Sequence, residues 1–302
     1  MGALETFDFG LAACTVGLRE QVREAGAFYA RHPLFPAARC EAAVAAARRF
    51  FALPEEEKRA LAIERSRHFR GYSEMRNERD WREQIHFGRE EAPVESGVEY
   101  DQLRGPNLWP EDGEWKRELL QLMEDLETVG REIMQCLCYF SAEEQSYLLL
   151  KLIHYGESPD GVARPGVAAH VDFSWITLLL QDDAGGLEVR TPAGEWVEAT
   201  PRPGTLVVNI GEILQLSTGG EFVATPHRVT TGAQSRVSMP FFLNPALDTV
   251  IPPGRGATVA DRGAHVHRVF TAMPADPVVF GEAEWERKGR GIWCGECCQI
   301  SK

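Results

Sequence analysis

Three segments between residues 170 and 238 decide the fold of this 302-residue chain: HVDFSWITLLLQDDAGGLEV (170–189), LVVNIGEILQLSTGG (206–220) and TPHRVTTGAQSRVS (225–238). In them, short runs rich in Val, Ile, Leu and Thr alternate with turns that contain Gly, Pro and Asp, which is typical of closely spaced β-strands. Such spacing favours a jelly roll, in which two sheets face each other, over alternating strands and helices. We therefore predict a mainly β core in which the ends of distant strands meet.

The first and third segments contain three candidate metal ligands. His170 and Asp172 are two residues apart, and side chains at this spacing on a strand point to the same face. His227 supplies a third ligand if its strand folds back beside the first. Two neutral imidazoles and one carboxylate form the facial triad of non-haem Fe(II) oxygenases, which leaves coordination positions for substrates. A single histidine is more often an ordinary hydrogen-bonded residue, so the prediction of an iron site depends on all three.

A candidate carboxylate receptor follows the third ligand. Arg236 and Ser238 share one face of a predicted strand. A guanidinium fork beside a hydroxyl binds a carboxylate well, because bidentate charge-assisted hydrogen bonds define both its position and its orientation. A metal site with such a receptor nearby indicates that a dicarboxylate binds there.

The pattern His170-x-Asp172, distal His227 and Arg236-x-Ser238 resembles that of the iron(II)/2-oxoglutarate-dependent dioxygenases, in the branch that includes isopenicillin N synthase. The resemblance implies a double-stranded β-helix (jelly roll) with N-terminal and flanking α-helices. It also implies Fe(II) as cofactor, with 2-oxoglutarate and O2 as cosubstrates. In that family a tyrosine at the position of Tyr155 contacts the 2-oxoglutarate carboxylate. The chain departs from the family nearby, because Ile153 replaces a frequent asparagine and Gly156 a frequent proline.

The resemblance also implies a reaction. Oxidative decarboxylation of 2-oxoglutarate to succinate would be coupled to hydroxylation, desaturation or cyclisation of a small organic substrate, with no catalytic residues beyond the metal ligands. Two alternatives stay open at this point. One is an isopenicillin N synthase-like oxidase that does not use 2-oxoglutarate, and the other is a non-catalytic metal-binding sensor or scaffold.

Candidate residues for the substrate pocket are apolar and lie near the predicted ligands. They are Phe173, Trp175, Leu187, Val189 and Phe242, with Phe241 beside the last. The hydrophobic core is the more frequent place for such side chains, so each has this reading as its alternative. The pattern does not identify the primary substrate.

Composition limits the partners. The net charge of −13 and the pI near 5.2 argue against a nucleic-acid partner and against an anionic membrane surface. No apolar run approaches the roughly 18 residues of a membrane span, and MGALETFDFG lacks the basic and apolar regions of a signal peptide. We therefore expect a soluble, cytoplasmic protein whose seven cysteines are reduced thiols. The oligomeric state stays open.

Periodicity predicts the remaining elements. Helices are expected over residues 18–31, 37–52 and 114–140, with further helix starts at Pro54 and Ser141. Residues 66–113 are expected to be rich in loops, and a role at the substrate mouth stays open for residues 79–84. Strands are expected over residues 148–155, 176–181, 187–190, 195–199, 205–210, 212–216, 225–229 and 236–243.

We expect one dioxygenase domain over residues 1–302. It comprises a mainly helical N-terminal part (1–147), a jelly-roll core with the metal site (148–250) and a C-terminal extension (251–302). The extension contains His265, His267, Cys294, Cys297 and Cys298. Their spacing does not suit a compact zinc finger, so an exposed tail or a partner contact is the preferred interpretation.

Overall fold

The structure is a computed structural model that describes residues 4–10, 17–77, 79–137, 145–157, 162–191, 193–232, 234–253 and 276–289. The helices in this part of the chain are α1 (Leu18–Glu24), α2 (Ala37–Phe51), α3 (Glu55–Ala60), α4 (Gly113–Leu137), α5 (Glu212–Ser217) and α6 (Phe280–Gly289), with short 3-10 turns at Ile63–Arg65 and Glu99–Leu103.

The strands in order are β1 (Thr6–Asp8), β2 (Ala27–Arg31), β3 (Gly71–Arg76), β4 (Trp81–Phe87), β5 (Leu148–Tyr155), β6 (Arg164–His170), β7 (Ile176–Gln181), β8 (Leu187–Arg190), β9 (Trp196–Glu198), β10 (Leu206–Ile210), β11 (His227–Thr231), β12 (Arg236–Leu243), β13 (Val250–Ile251) and β14 (Val278–Val279). The large sheet has the order β1-β2-β10-β7-β12-β5-β4-β3. A four-stranded sheet has the order β6-β11-β8-β9, and β13 pairs with β14.

Alternation along the strands separates two apolar clusters on opposite faces of the large sheet. On β12, Val237 and Phe241 belong to the larger cluster, to which α2 and α4 contribute many side chains. On β5, Ile153 and Tyr155 belong to the smaller cluster, together with side chains of the four-stranded sheet such as Val189. Because successive side chains of a strand point to opposite faces, the same strands build the helix-packed core and line the space between the sheets.

Several predicted elements are confirmed. The strands predicted over residues 148–155, 176–181, 187–190 and 236–243 match β5, β7, β8 and β12, and those over 195–199, 205–210 and 225–229 overlap β9, β10 and β11. The helices over 37–52 and 114–140 correspond to α2 and α4, and α3 starts directly after Pro54. The helix start at Ser141 lies outside the described residues, as do His265, His267, Cys294, Cys297 and Cys298.

The helix predicted over residues 18–31 is wrong in its second half. Helix α1 ends at Glu24, and β2 begins at Ala27 and pairs with β10. The break is at Gly26, whose φ of +68° is a left-handed conformation that glycine adopts without strain. A Cβ at this position would lie 2.2 Å from Thr225 Oγ1, so the close approach also requires glycine.

The strand predicted over residues 212–216 is also wrong, because these residues form helix α5. A short apolar run does not distinguish a buried strand from a buried helix. Hydrogen bonds to the backbone of the loop that follows β6 hold the first residues of the helix. Glu212 N–H donates to Asp172 O at 2.7 Å, and Gly211 N–H donates to Trp175 O at 2.9 Å.

The prediction of loops over residues 66–113 is wrong for β3 and β4. These strands form one edge of the large sheet, where β4 pairs with β5. Residues 1–147 therefore contain much of the helix in the described structure but also contribute β1 to β4 to the large sheet. Strand β4 pairs with β5, which is distant in sequence. Its sequence, WREQIHF, contains several polar residues, so it lacks the apolar run by which the other strands were predicted.

A buried ionic cluster holds β4 in place on the helix side. The Glu83 carboxylate accepts hydrogen bonds from Tyr72 Oη (2.7 Å), Lys58 Nζ (2.5 Å) and His154 Nδ1 (2.7 Å). Burial raises the pKa of Glu83, but the hydrogen bonds from His154, Lys58 and Tyr72 outweigh burial and lower the pKa to about 2. The carboxylate therefore stays ionised and joins α3, β3, β4 and β5.

We predict that Glu83→Leu destabilises the protein by about 3–5 kcal/mol, because it leaves the Lys58 ammonium buried without its carboxylate partner. The free energy of unfolding in urea measures this. Glu74→Gln on β3 is the matched control, since the Glu74 carboxylate is exposed and pairs with the Arg76 guanidinium. It should change stability by less than about 0.5 kcal/mol. Equal effects of the two substitutions would refute a structural role for the cluster.

Candidate functional site

A cavity lies between the two sheets. Its lining from the large sheet includes Tyr155, Thr177, Asn209, Arg236 and Ser238, and its lining from the four-stranded sheet and the loop after β6 includes His170, Asp172, Val189 and His227. The predicted ligands and the predicted carboxylate receptor therefore face the same space.

Strand pairing brings the two histidines together. His170 is the last residue of β6 and His227 is the first residue of β11, and the two are Cα partners in this antiparallel pair. Their rings lie 4.2 Å apart between centroids. Asp172 follows β6 by two residues, and its Oδ1 lies 3.5 Å from His170 Nε2 and 3.6 Å from His227 Nε2. The candidate ligand atoms of the three residues all lie within 4.8 Å of one another.

Hydrogen bonds orient each of the three side chains. His170 Nδ1 lies 2.9 Å from Ala168 O and His227 Nδ1 lies 3.0 Å from Thr225 O, and an Nδ1–H that donates to each carbonyl leaves Nε2 as a lone-pair donor. We assign a proton to Nδ1 of each histidine because each Nδ1 faces a carbonyl oxygen, which can only accept a hydrogen bond. Asp172 Oδ2 accepts hydrogen bonds from two side chains of the large sheet, Thr177 Oγ1 (2.6 Å) and Asn209 Nδ2 (2.9 Å). Oδ1 is left to face the imidazoles.

The electrostatics favour the protonation states that a metal requires. Burial raises the pKa of Asp172, but His227, His170 and the Thr177 hydroxyl outweigh burial, and the pKa lies below its usual value. Burial lowers the pKa of His227 more than the Asp172 carboxylate raises it. An ionised carboxylate beside a neutral imidazole is the donor set that divalent transition metals bind.

Arg236 has one free guanidinium nitrogen in the cavity wall. Its Nε donates to Gly185 O at 2.7 Å, and its Nη2 donates to Gln181 Oε1 at 3.1 Å. Among the described residues, none accepts a hydrogen bond from the buried Nη1. The guanidinium lies 5.0 Å from the ring centroid of Tyr155, its partner on β5. A buried charged donor without an acceptor is costly, so this nitrogen indicates a place for an anionic ligand.

The other candidate residues divide into two groups. Ser238 and Tyr155 line the cavity with Arg236, and Leu187, Val189 and Phe242 line it too. Phe173 and Trp175 do not, since both lie in the larger apolar cluster, where Phe173 stacks on Phe280 of α6. Phe241 also lies in that cluster, because its side chain points to the opposite face from Phe242.

Sequence reasoning missed three polar side chains of the cavity wall: Thr177, Asn209 and Lys151. Alternation on β5 was a usable signal for Lys151, because Lys151, Ile153 and Tyr155 share one face. Arg82 also lies in this wall and falls within residues 79–84, for which the sequence leaves a role at the substrate mouth open, although no strand was predicted there. The hydrogen bonds that Thr177 and Asn209 donate to Asp172 cross between elements, so spacing alone does not reveal them.

Two family models match this chain. The first, described as the 2OG-Fe(II) oxygenase superfamily, matches residues 137–245, and the second, described as non-haem dioxygenase in morphine synthesis N-terminal, matches residues 10–112. Among similar proteins, a homoarginine-6-hydroxylase of Arabidopsis thaliana is 30% identical over 268 residues, which are 82% of this chain and 81% of the relative. Feruloyl CoA ortho-hydroxylase 2 of the same plant is 29% identical over 230 residues, which are 69% of this chain and 59% of the relative.

Solved structures share the fold over most of the chain. A 2OG-Fe(II) oxygenase family protein from Caulobacter crescentus has a TM-score of 0.75 and 27% identity, covering 97% of this chain and 100% of that chain. A Neurospora crassa protein in complex with alpha-KG (2-oxoglutarate) and 5-formyluracil has a TM-score of 0.70 and 25% identity, covering 89% of this chain and 87% of that chain. The predicted fold class is confirmed.

We predict that Thr177→Val lowers the affinity of the site for a divalent metal by about 10–100-fold, because losing a hydrogen bond that orients a ligand typically costs this much. Valine keeps the shape of threonine and removes the donor to Asp172 Oδ2. Anaerobic titration with Fe(II) measures the change. Thr230→Val on the exposed side of β11 is the control and should bind metal like the unmodified protein. Unchanged affinity in Thr177→Val would show that this hydrogen bond does not orient the carboxylate.

Proposed function

Because the chain belongs to the iron(II)/2-oxoglutarate-dependent oxygenases, we propose that His170, Asp172 and His227 hold its iron and that Arg236 binds 2-oxoglutarate. The observation that carries this proposal is the convergence of two Nε2 atoms and one carboxylate oxygen in a cavity that also contains the buried, unpartnered Nη1 of Arg236. A metal and a carboxylate-bearing ligand account for both features.

Family membership establishes the reaction class. The protein is a non-haem oxygenase that uses Fe(II), 2-oxoglutarate and O2, and the comparisons do not support an oxidase without 2-oxoglutarate or a non-catalytic scaffold. When bound, the iron and 2-oxoglutarate activate O2 to oxidise a substrate carbon, and 2-oxoglutarate is converted to succinate and CO2. The chain contributes ligands, orientation and exclusion of water.

Each proposed role follows from contacts in the cavity. The carbonyls of Ala168 and Thr225 keep the two imidazoles turned so that Nε2 faces the metal position. Arg236 supplies the charge for the distal carboxylate of 2-oxoglutarate, with Ser238 and Tyr155 as neighbouring hydroxyl donors in the same wall. Leu187, Val189 and Phe242 provide an apolar surface for the substrate and keep water from the reacting atoms.

The substrate is a small organic molecule and the default reaction is hydroxylation. The relatives have names that refer to homoarginine and feruloyl CoA, and the Neurospora crassa structure contains 5-formyluracil. These compounds share no common skeleton, so side chains of this cavity must decide the substrate. We place the chain in the isopenicillin N synthase-like branch as one dioxygenase domain over residues 1–302. No described helix is both long and apolar enough to cross a membrane, and a cytoplasmic location stays a prediction.

We expect Asp172→Ala to lose its iron, because a facial site that loses its only carboxylate also loses the charge that binds a divalent cation. The measurement is iron bound per chain after anaerobic loading and desalting. Asp183→Ala is the matched control, because Asp183 is an exposed carboxylate near β7 that does not line the cavity. The control should retain iron. Full iron content in Asp172→Ala would rule out the proposed ligand set.

Arg236→Lys should weaken 2-oxoglutarate binding by about 10–100-fold and leave iron binding unchanged. A lysine keeps the charge but cannot reproduce the guanidinium fork, and a lost charge-assisted hydrogen bond costs about 1.5–3 kcal/mol. Anaerobic calorimetry with the iron-loaded protein gives the 2-oxoglutarate Kd. Arg190→Lys outside the cavity lining is the control. An unchanged Kd in Arg236→Lys would contradict the receptor assignment.

A further inference from the structure

The protein holds the Arg236 guanidinium along one of its edges. Nε donates to Gly185 O at 2.7 Å, and Nη2 donates to Gln181 Oε1 at 3.1 Å. Nε and Nη2 share one edge of the planar guanidinium, and Nη1 lies on the other side of the plane's long axis. These two acceptors therefore leave Nη1, for which no described residue is an acceptor, for a ligand in the cavity that Arg236 lines.

The Gln181 amide is itself oriented by a second hydrogen bond. Gln181 is the last residue of β7, and its Nε2 donates to Ala199 O at 3.0 Å. A carbonyl oxygen can only accept a hydrogen bond and a guanidinium can only donate one. The two partners therefore allow one orientation of the amide, with Nε2 toward Ala199 and Oε1 toward Arg236. Ala199 is fully buried in the smaller apolar cluster, which anchors this chain of hydrogen bonds.

Gln181 contacts the receptor without lining the cavity. Its strand partner Ser238 and its neighbour on the same face, Leu179, both line the cavity, but Gln181 does not. The half-buried Gln181 side chain instead bridges Arg236 and Ala199. An effect of Gln181 on a ligand must therefore pass through Arg236.

The acceptors of Arg236 are also neutral. Gly185 offers a backbone carbonyl and Gln181 an amide oxygen, and no carboxylate of the described residues forms an ion pair with Arg236. The guanidinium is thus kept in one orientation while its charge stays available to an anionic ligand. Holding a long side chain in its binding orientation before the ligand arrives removes part of the entropy cost of binding.

We infer that Gln181 is a positioning residue for the cosubstrate, which holds the Arg236 guanidinium in the orientation that receives the distal carboxylate of 2-oxoglutarate. This inference rests on the proposed function and adds to it the residue that orients the receptor. Gln181 thereby sets how strongly the site prefers a dicarboxylate to a 2-oxo acid with an uncharged end.

The test compares two ligands on the full chain, loaded anaerobically with Fe(II). 2-Oxopentanoate has the carbon chain of 2-oxoglutarate but ends in a methyl group, so it has no distal carboxylate for Arg236. Anaerobic calorimetry gives the Kd of each ligand. The variants are Gln181→Met, which keeps the length of the side chain and removes the amide, and Gln181→Glu, which keeps its shape and adds a charge. Gln121→Met on the exposed side of α4 is the matched control.

Gln181→Met should bind 2-oxoglutarate about tenfold more weakly and 2-oxopentanoate as tightly as the unmodified protein does. Gln181→Glu should weaken 2-oxoglutarate binding at least as much, because its carboxylate repels that of the ligand and neutralises Arg236. Gln121→Met should bind both ligands normally. Unchanged 2-oxoglutarate binding in Gln181→Met would overturn the inference, and so would an equal loss for both ligands, which indicates a general disturbance of the cavity. If Gln181→Met does not fold, Gln181→Glu decides by the same comparison.

A double substitution tests whether Gln181 acts through Arg236. In the Arg236→Lys protein, Gln181→Met should weaken 2-oxoglutarate binding by less than about twofold more, because the guanidinium that Gln181 orients is no longer present. A further tenfold loss in the double variant would show an effect independent of Arg236 and would contradict the positioning role.

The two proposals fail in distinguishable ways. If Arg236→Lys binds 2-oxoglutarate as tightly as the unmodified protein does, the proposed receptor is wrong and the inference about Gln181 falls with it. If Arg236→Lys binds 2-oxoglutarate more weakly and Gln181→Met does not, only the inference about Gln181 is wrong.

Discussion

The site depends on one carboxylate that is held by two sheets. Asp172 follows the last strand residue of β6 in the four-stranded sheet, yet its Oδ2 accepts hydrogen bonds from Thr177 and Asn209 of the large sheet. These contacts turn Oδ1 toward His170 and His227, which strand pairing has already placed side by side. The metal geometry is therefore a consequence of how the sheets face each other. A shift of one sheet relative to the other would separate the carboxylate from its donors or from the imidazoles.

The large sheet combines stability and chemistry by strand alternation. One face carries side chains such as Phe241 and Leu178 into the cluster that packs under the helices. The other face carries Arg236, Ser238 and Lys151 into the cavity. Arg236 is tolerated on that face because the Gly185 carbonyl and the Gln181 amide oxygen accept its hydrogen bonds and the Tyr155 ring lies beside it. The apolar helix side supplies the burial that offsets the cost of burying this charge.

Much of the fold, and the position of the predicted ligands and receptor around one cavity, followed from short-range patterns. The strand boundaries of β7, β8 and β12 depend on apolar runs bounded by turn residues, and the triad and receptor depend on pairs of residues two apart on a strand. That the three residues bind iron stays a prediction. The errors arose where contacts distant in sequence decide the structure. Gly26 ends α1 because it packs against Thr225, and β4 is a strand because β5 lies beside it.

The same limit applies to the pocket. Phe173 and Trp175 were plausible lining residues by position, but α6 and the helix-side cluster bury them, and no spacing in the sequence indicates this. Lys151, in contrast, could have been found from the alternation of LLLKLIHY once Tyr155 was assigned to the cavity. A polar residue within an otherwise apolar strand, such as Lys151, indicates a side chain that lines a cavity.

An anaerobic crystal structure of the protein with Fe(II) and 2-oxoglutarate tests the central claim most directly. The predicted result is one metal ion bound by His170 Nε2, Asp172 Oδ1 and His227 Nε2, with the distal carboxylate of 2-oxoglutarate on Arg236. A metal bound by other side chains, or a 2-oxoglutarate molecule that does not contact Arg236, would contradict it.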